Sequence, residues 1–128
     1  MSGRKLISFL IKAKDQDHII ITLLKENTRY LVRTEYEHIG DKIKETNYEI
    51  DRNLVYQIFC NLEVAEFDEL DNVDNSEEVA NMKVYYGDQE YLERKITKPL
   101  LKKADGLNNV IKCLIKYVDE SLNRSVFV

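Results

Sequence analysis

The residues best able to do chemistry in this chain are its carboxylates, and their densest group is Glu63, Glu66, Asp68, Glu69, Asp71, Asp74, Glu77 and Glu78, a run with no Lys or Arg inside it. Carboxylates are hard oxygen ligands, so calcium is the first chemistry to test. A helix-loop-helix calcium loop alternates its ligands about a central glycine. This run has no glycine, and Asp71, Val73 and Asn75 break the alternation, so no metal site is expected. The remaining use is electrostatic: Glu66, Asp68, Glu69, Asp71 and Asp74 would form an anionic surface that speeds docking onto a basic face of a protein partner.

The other reactive side chains point away from catalysis. His18 and His38 are the two histidines, each beside acidic or turn residues and without a second ligand at helical or hairpin spacing. Cys60 and Cys113 fall mid-helix on apolar stripes, where a thiol serves as a small hydrophobe rather than a nucleophile. Arg94, Lys95, Lys98, Lys102 and Lys103, interleaved with Tyr85, Tyr86 and Tyr91, could hold phosphates and stack bases. In a chain of net charge -4 they are better read as balancing the acidic run, and nucleic acid is not the expected partner. Glycine occurs only at Gly3, Gly40, Gly87 and Gly106, so no phosphate-binding loop or nucleophile elbow can be assembled, and neither a catalytic residue nor a cofactor is expected.

The elements that must position these residues follow from periodicity. Leu107, Val110, Ile111, Leu114, Ile115, Val118 and Leu122 share one face of a helix over 107–122, with Asn108, Asn109, Lys112, Lys116, Asp119 and Glu120 opposite. Such a stripe must be buried against something. Asp51 stands as the N-cap of a second helix whose stripe is Leu54, Val55, Ile58, Phe59 and Leu62. Before it, the period changes to two. Ile7, Phe9, Ile11 and Ala13 alternate up to a turn at Asp15-Gln16-Asp17, and His18–Lys25 is apolar on both faces. Arg29–His38 sets Tyr30, Val32, Thr34 and Tyr36 against Leu31, Arg33, Glu35 and Glu37, and Gly40-Asp41 turns into Lys42–Ile50, polar enough for a sheet edge. Residues 63–78 read as a solvated loop pinned by Phe67, Leu70 and Val73. Val79–Tyr86 and Gln89–Thr97 then form a hairpin about a two-residue Gly87-Asp88 turn, and Lys98–Lys103 leads to the last helix with Asp105 as its cap.

At 128 residues, with 44% hydrophobic and 33% charged side chains, the chain has the size and composition of a single domain built on one core. The expected fold is α+β: one antiparallel sheet, in the order ββββ-α-ββ-α, with two amphipathic helices on one face. Tyr30, Tyr36, Tyr48 and Arg33 are expected on the opposite, partly solvated face, as residue types common at protein interfaces. The apolar run Leu6–Ile11 is too short for a membrane span and lacks an export cleavage site, so a cytoplasmic, thiol-reduced protein is expected. The functional expectation is a non-enzymatic protein-binding domain, an inhibitor, immunity protein or adaptor, with self-pairing through the Lys42–Ile50 strand compatible with it. The alternative is a small-ligand pocket or unconventional enzyme site between sheet and helices.

Overall fold

Alternating apolar side chains over the first fifty residues become four strands, β1 (Arg4–Lys12), β2 (Asp17–Glu26), β3 (Arg29–His38) and β4 (Asp41–Ile50). The computed structural model describes residues 3–12, 17–38, 41–69, 78–87 and 89–117. After β4 come α1 (Arg52–Val64), a short 3-10 turn (Phe67–Glu69), β5 (Glu78–Tyr85), β6 (Tyr91–Thr97), α2 (Lys98–Lys103) and α3 (Asp105–Ile115). The β2–β3 connection is tight because Asn27 adopts φ 57°, a left-handed conformation that asparagine tolerates. The parts of the sequence reading that concern Ala13, Asp15, Gln16, Gly40, Leu70, Asp71, Val73, Asp74, Asp88, Val118, Leu122 and their neighbours lie outside the described residues.

Among the described residues the strands form one six-stranded antiparallel sheet in the order β4-β3-β2-β1-β5-β6. Directly opposed residues on neighbouring strands share a face. Ile7 stands opposite both Leu23 and Val84, Phe9 opposite Ile21 and Met82, and Ile11 opposite Ile19 and Ala80, which makes one continuous apolar layer. Val55, Ile58 and Leu62 of α1 and Leu107, Val110, Ile111, Leu114 and Ile115 of α3 close over that layer. Each of these side chains contributes about 1.5–3 kcal/mol by leaving water. The α+β architecture with α1 and α3 against the sheet is therefore as the periodicity indicates.

The same register corrects the assignment of faces. Tyr36 stands opposite Ile19, Thr34 opposite Ile21 and Val32 opposite Leu23, so the tyrosine row of β3 belongs to the helix-covered face. Tyr48, opposite Val32, shares that face, whereas Arg33 points the other way with Leu31 and Glu35. Alternation separates two faces but does not say which one a helix will cover. On the face opposite α1 and α3, Thr22, Leu24 and Leu31 are buried as well. His18 and His38 sit at the same end of neighbouring strands, but His18 pairs with Glu37 and His38 with Asp17, which sends them to opposite faces.

Local chemistry sets the helix ends. Asp51 caps α1 by accepting from the Asn53 backbone N–H at 2.8 Å. Residues 98–103, expected as a lead-in, are helical: Thr97 accepts from the Leu100 N–H at 3.3 Å, and Pro99 fits the first turn, where its missing N–H has no cost. The cap position of α3 is Ala104, and Asp105 lies inside the first turn, where its charge still suits the helix dipole. Cys60 is exposed on α1, not buried as expected, whereas Cys113 on α3 is half-buried and packs against the core. The β5–β6 connection is longer than two residues, with the Tyr86 N–H bonded to the Glu90 carbonyl at 3.1 Å. Among the described residues, no helix is long and apolar enough to cross a membrane.

Candidate binding cleft

Four opposed residues, Arg4, Lys25, Tyr30 and Ile50, run in a row across β1, β2, β3 and β4, and the row ends where Asp51 and Arg52 begin α1. Arg4 reaches this row through an irregularity. The β1–β2 register slips by one residue between Lys5 and Ile7; without the slip, Lys5 would stand opposite Lys25. Bulges of this kind re-aim a side chain at a sheet end. Gly3 completes the approach, since a Cβ there would stand 2.6 Å from the Lys25 carbonyl oxygen.

Above the row, the first two turns of α1 present Arg52, Asn53, Val55, Tyr56 and Phe59. Together with Arg4, Leu6, Lys25 and Tyr30 they line a cleft of about 440 Å³ between the sheet and α1. That volume is in the small-molecule range. Lys25 holds its ammonium 5.7 Å from the centre of the Tyr30 ring. Among the described residues, Arg4, Lys25 and Arg52 have no carboxylate within ion-pair distance, whereas nearby Arg29 is engaged by Glu26 at 3.0 Å and Glu49 at 3.8 Å. An adjoining hollow of about 380 Å³ shares Tyr30 and Arg52 with the cleft.

Past the Asp51 cap, the charges of α1 run against its own dipole. Partial positive charge gathers at a helix N-terminus and negative charge at its C-terminus, so acids are favoured first and bases last. The first turn of α1 has no acid and carries Arg52; the last has no base and carries Glu63. Beyond it, Glu66 takes φ 53°, a conformation that costs a residue with a side chain about 1–2 kcal/mol. Glu66, Asp68 and Glu69 are all exposed there. Arg94 anchors this acidic turn, with Nε donating to the Phe67 carbonyl at 3.1 Å and Nη2 to the Asp68 carbonyl at 2.8 Å.

The residues singled out from the sequence therefore do not form one patch. Glu66, Asp68 and Glu69 lie at the C-terminal end of α1, and Tyr30 lies in the cleft at its N-terminal end, about 20 Å away along a 13-residue helix. Tyr48 packs at 5.2 Å against the ring of Tyr117, and Tyr36 packs against the core. On the sheet face opposite α1 and α3, Arg33 donates from Nε to Asn47 Oδ1 at 3.0 Å. Asp71 and Asp74 lie outside the described residues. A depression of about 370 Å³ on that face, around Ser8, Leu10 and Ile20, sets Lys83 among Glu78 and Glu93, so its charges offset one another. Among the described residues, no group of His, Cys, Asp and Glu is placed to hold a metal ion.

Arg4, Lys25, Arg52, Tyr56 and Phe59 were not singled out by sequence reasoning. Arg52 directly after a cap was the one legible signal, because a base at that position is disfavoured. The fold and site define an α+β single-sheet domain with a cationic, aromatic-walled cleft. No family model matches the chain, and neither a curated protein nor a solved structure is similar to it.

Proposed function

We propose that this chain is a non-enzymatic binding domain that holds an anionic ligand in the cleft between β1–β3 and α1. The observation that carries the reading is the convergence of three cations, Arg4, Lys25 and Arg52, without carboxylate partners among the described residues, on a cleft walled by Tyr30, Tyr56 and Phe59. Guanidinium groups match carboxylates and phosphates in two-pronged geometry, and aromatic rings supply a surface for a flat or apolar ligand body. The chemistry fitted is therefore an organic phosphate or carboxylate with an aromatic or apolar moiety. The test is a backbone-amide NMR titration at low salt with phenyl phosphate and with inorganic phosphate. Binding to the cleft moves the amides of Arg4, Lys25, Tyr30, Arg52 and Tyr56, more strongly for phenyl phosphate, and Lys25→Gln weakens it. Uniform shifts over the surface, or none, would sink the proposal.

A second reading, docking of a protein with a basic face onto Glu66, Asp68 and Glu69, is favoured by the fixing of that turn through Arg94. Its measurement is the association rate after joint neutralisation of those three acids, which falls if the turn steers a partner.

A further inference from the structure

The solvent-facing side of α1 is an unusual surface for a helix already packed on a sheet. Tyr56, Cys60 and Val64 follow one another at intervals of four and so form a ridge down its middle. Tyr56 is 73% and Val64 75% exposed, and Cys60 is exposed between them. Asn53, Gln57 and Glu63 flank the ridge and are exposed as well. At one end of it stands Arg52; at the other stand Glu63, Glu66 and Asp68.

We infer that this face is a self-association surface, and that its occupant is a second copy of α1 laid antiparallel across a two-fold axis at Cys60. Charge complementarity selects this partner. An antiparallel copy sets the Arg52 end of each helix beside the Glu63, Glu66 and Asp68 end of the other, and the two-fold repeats the match. It also packs Tyr56 of each copy beside Val64 of the other and brings the two Cys60 residues together at the axis. A parallel copy would oppose like charges at both ends. The placement explains why α1 carries a base first and acids last although its own dipole disfavours both: each helix end meets the opposite end of another dipole. One helix face per copy lies at the low end of specific interfaces, below about 1,200 Å² in total, so the dimer is weak and concentration-dependent. Arg52 and Tyr56 belong to both the anion cleft and this face, whereas Arg4 and Lys25 line the cleft alone, so the two readings can be tested apart.

The experiment is sedimentation equilibrium at low salt on the full chain and on Arg52→Glu, Glu63→Lys and the double variant, with cross-linking by a short bismaleimide as an independent readout. Dimerisation is expected in the parent chain. Each single reversal weakens it about five-fold or more, since two symmetry-related charge matches are inverted, and the double reversal restores it. Both substitutions suit the α1 dipole, so a loss of dimer cannot be blamed on unfolding, and thermal melts of each variant verify this. Cross-linked dimer forms through Cys60, disappears with Cys60→Ser and follows the same pattern of loss and rescue. A chain that stays monomeric into the millimolar range, growth beyond the dimer, or single reversals that the double variant does not rescue would each overturn the inference. Lys25→Gln separates it from the cleft reading: phosphate binding weakens while the dimer persists.

Discussion

Replacing Arg52 by Glu tests whether the charge at the start of α1 is kept for recognition at the expense of stability. Arg52 occupies the first helical position, exposed, one residue after the cap. A charge in the first turn interacts with the helix dipole by about 0.3–1 kcal/mol, so exchanging an unfavourable base for a favourable acid is worth that range or somewhat more. The neighbouring Asp51, the cap itself, repels the new carboxylate and holds the gain to the low part of that range. For a chain of this length the gain amounts to a rise of about 1–5 °C in Tm. Thermal melts by circular dichroism at 20 mM and at 1 M sodium chloride measure it, and the rise should shrink in high salt, where the screening length is about 3 Å. Phenyl phosphate titrated into the same variant should bind more weakly than to the parent chain. A variant that melts lower than the parent at low salt, or gains stability and keeps its affinity, would refute the reasoning: in the first case Arg52 supports the fold, and in the second it does not serve the cleft.

Three further outcomes are expected. Gly106→Ala should destabilise by about 1–3 kcal/mol in urea unfolding, because the added Cβ would stand 2.4 Å from the Asn61 carbonyl oxygen at the α1–α3 crossing; a gain from better helix propensity would contradict the close approach. Arg94→Ala should cost about 2–4 kcal/mol in the same assay by releasing the Phe67 and Asp68 carbonyls, and Arg94→Lys should recover only part of it, since an ammonium cannot reproduce the fork; full recovery would show that charge alone matters. On the sheet face opposite α1 and α3, Lys42 Nζ lies 2.7 Å from Glu45 Oε1 and 3.2 Å from Glu35 Oε2. The hydrogen bond from Lys42 holds the Glu45 carboxyl below its usual range, and the bonds with Glu45 and then Glu35 raise Lys42 above its own. The stabilisation from Glu45 is therefore present above the ordinary carboxylate range and lost as pH falls through its lowered value. That from Lys42 is present below the ordinary lysine range and lost as pH rises through its raised one. Both groups are in water, so the readout is NMR titration of the Glu45 carboxyl, which should return to the ordinary range in Lys42→Gln; an unchanged midpoint would disprove the coupling.

Much of the fold is written in local pattern. The stripes of α1 and α3, the cap at Asp51 and the two-residue alternation of β1 to β4 are each set by a few neighbouring residues, and each is found in the structure. What pattern does not carry is the outcome of competition between distant parts. Val32, Thr34 and Tyr36 alternate as a half-buried strand should, yet only their pairing with Leu23, Ile21 and Ile19 decides which side the helices take. Thr97 was visible as a strand end, but its capping of α2 needs the chain to turn back immediately. The stripe of α1 is as expected, while Cys60 falls outside it: counted in turns from Ile58 it faces solvent. The cleft was least legible, because Arg4 reaches it only through a slipped register and Arg52, Tyr56 and Phe59 meet the sheet only after α1 has docked.

The strand order carries a consequence for how the molecule is made. β1 lies inside the sheet, flanked by β2 on one side and by β5 on the other, and Ile7 pairs with Val84. The meander β1 to β4 and the hairpin β5–β6 can each close over short loops, but the seam between them joins segments far apart in the chain and must wait for both. During synthesis, β1 therefore leaves the ribosome long before its second neighbour exists, with one edge unpaired and Ile7, Phe9 and Ile11 not yet covered by α3. A nascent chain halted before β5 is the form of this protein with the greatest need of a chaperone.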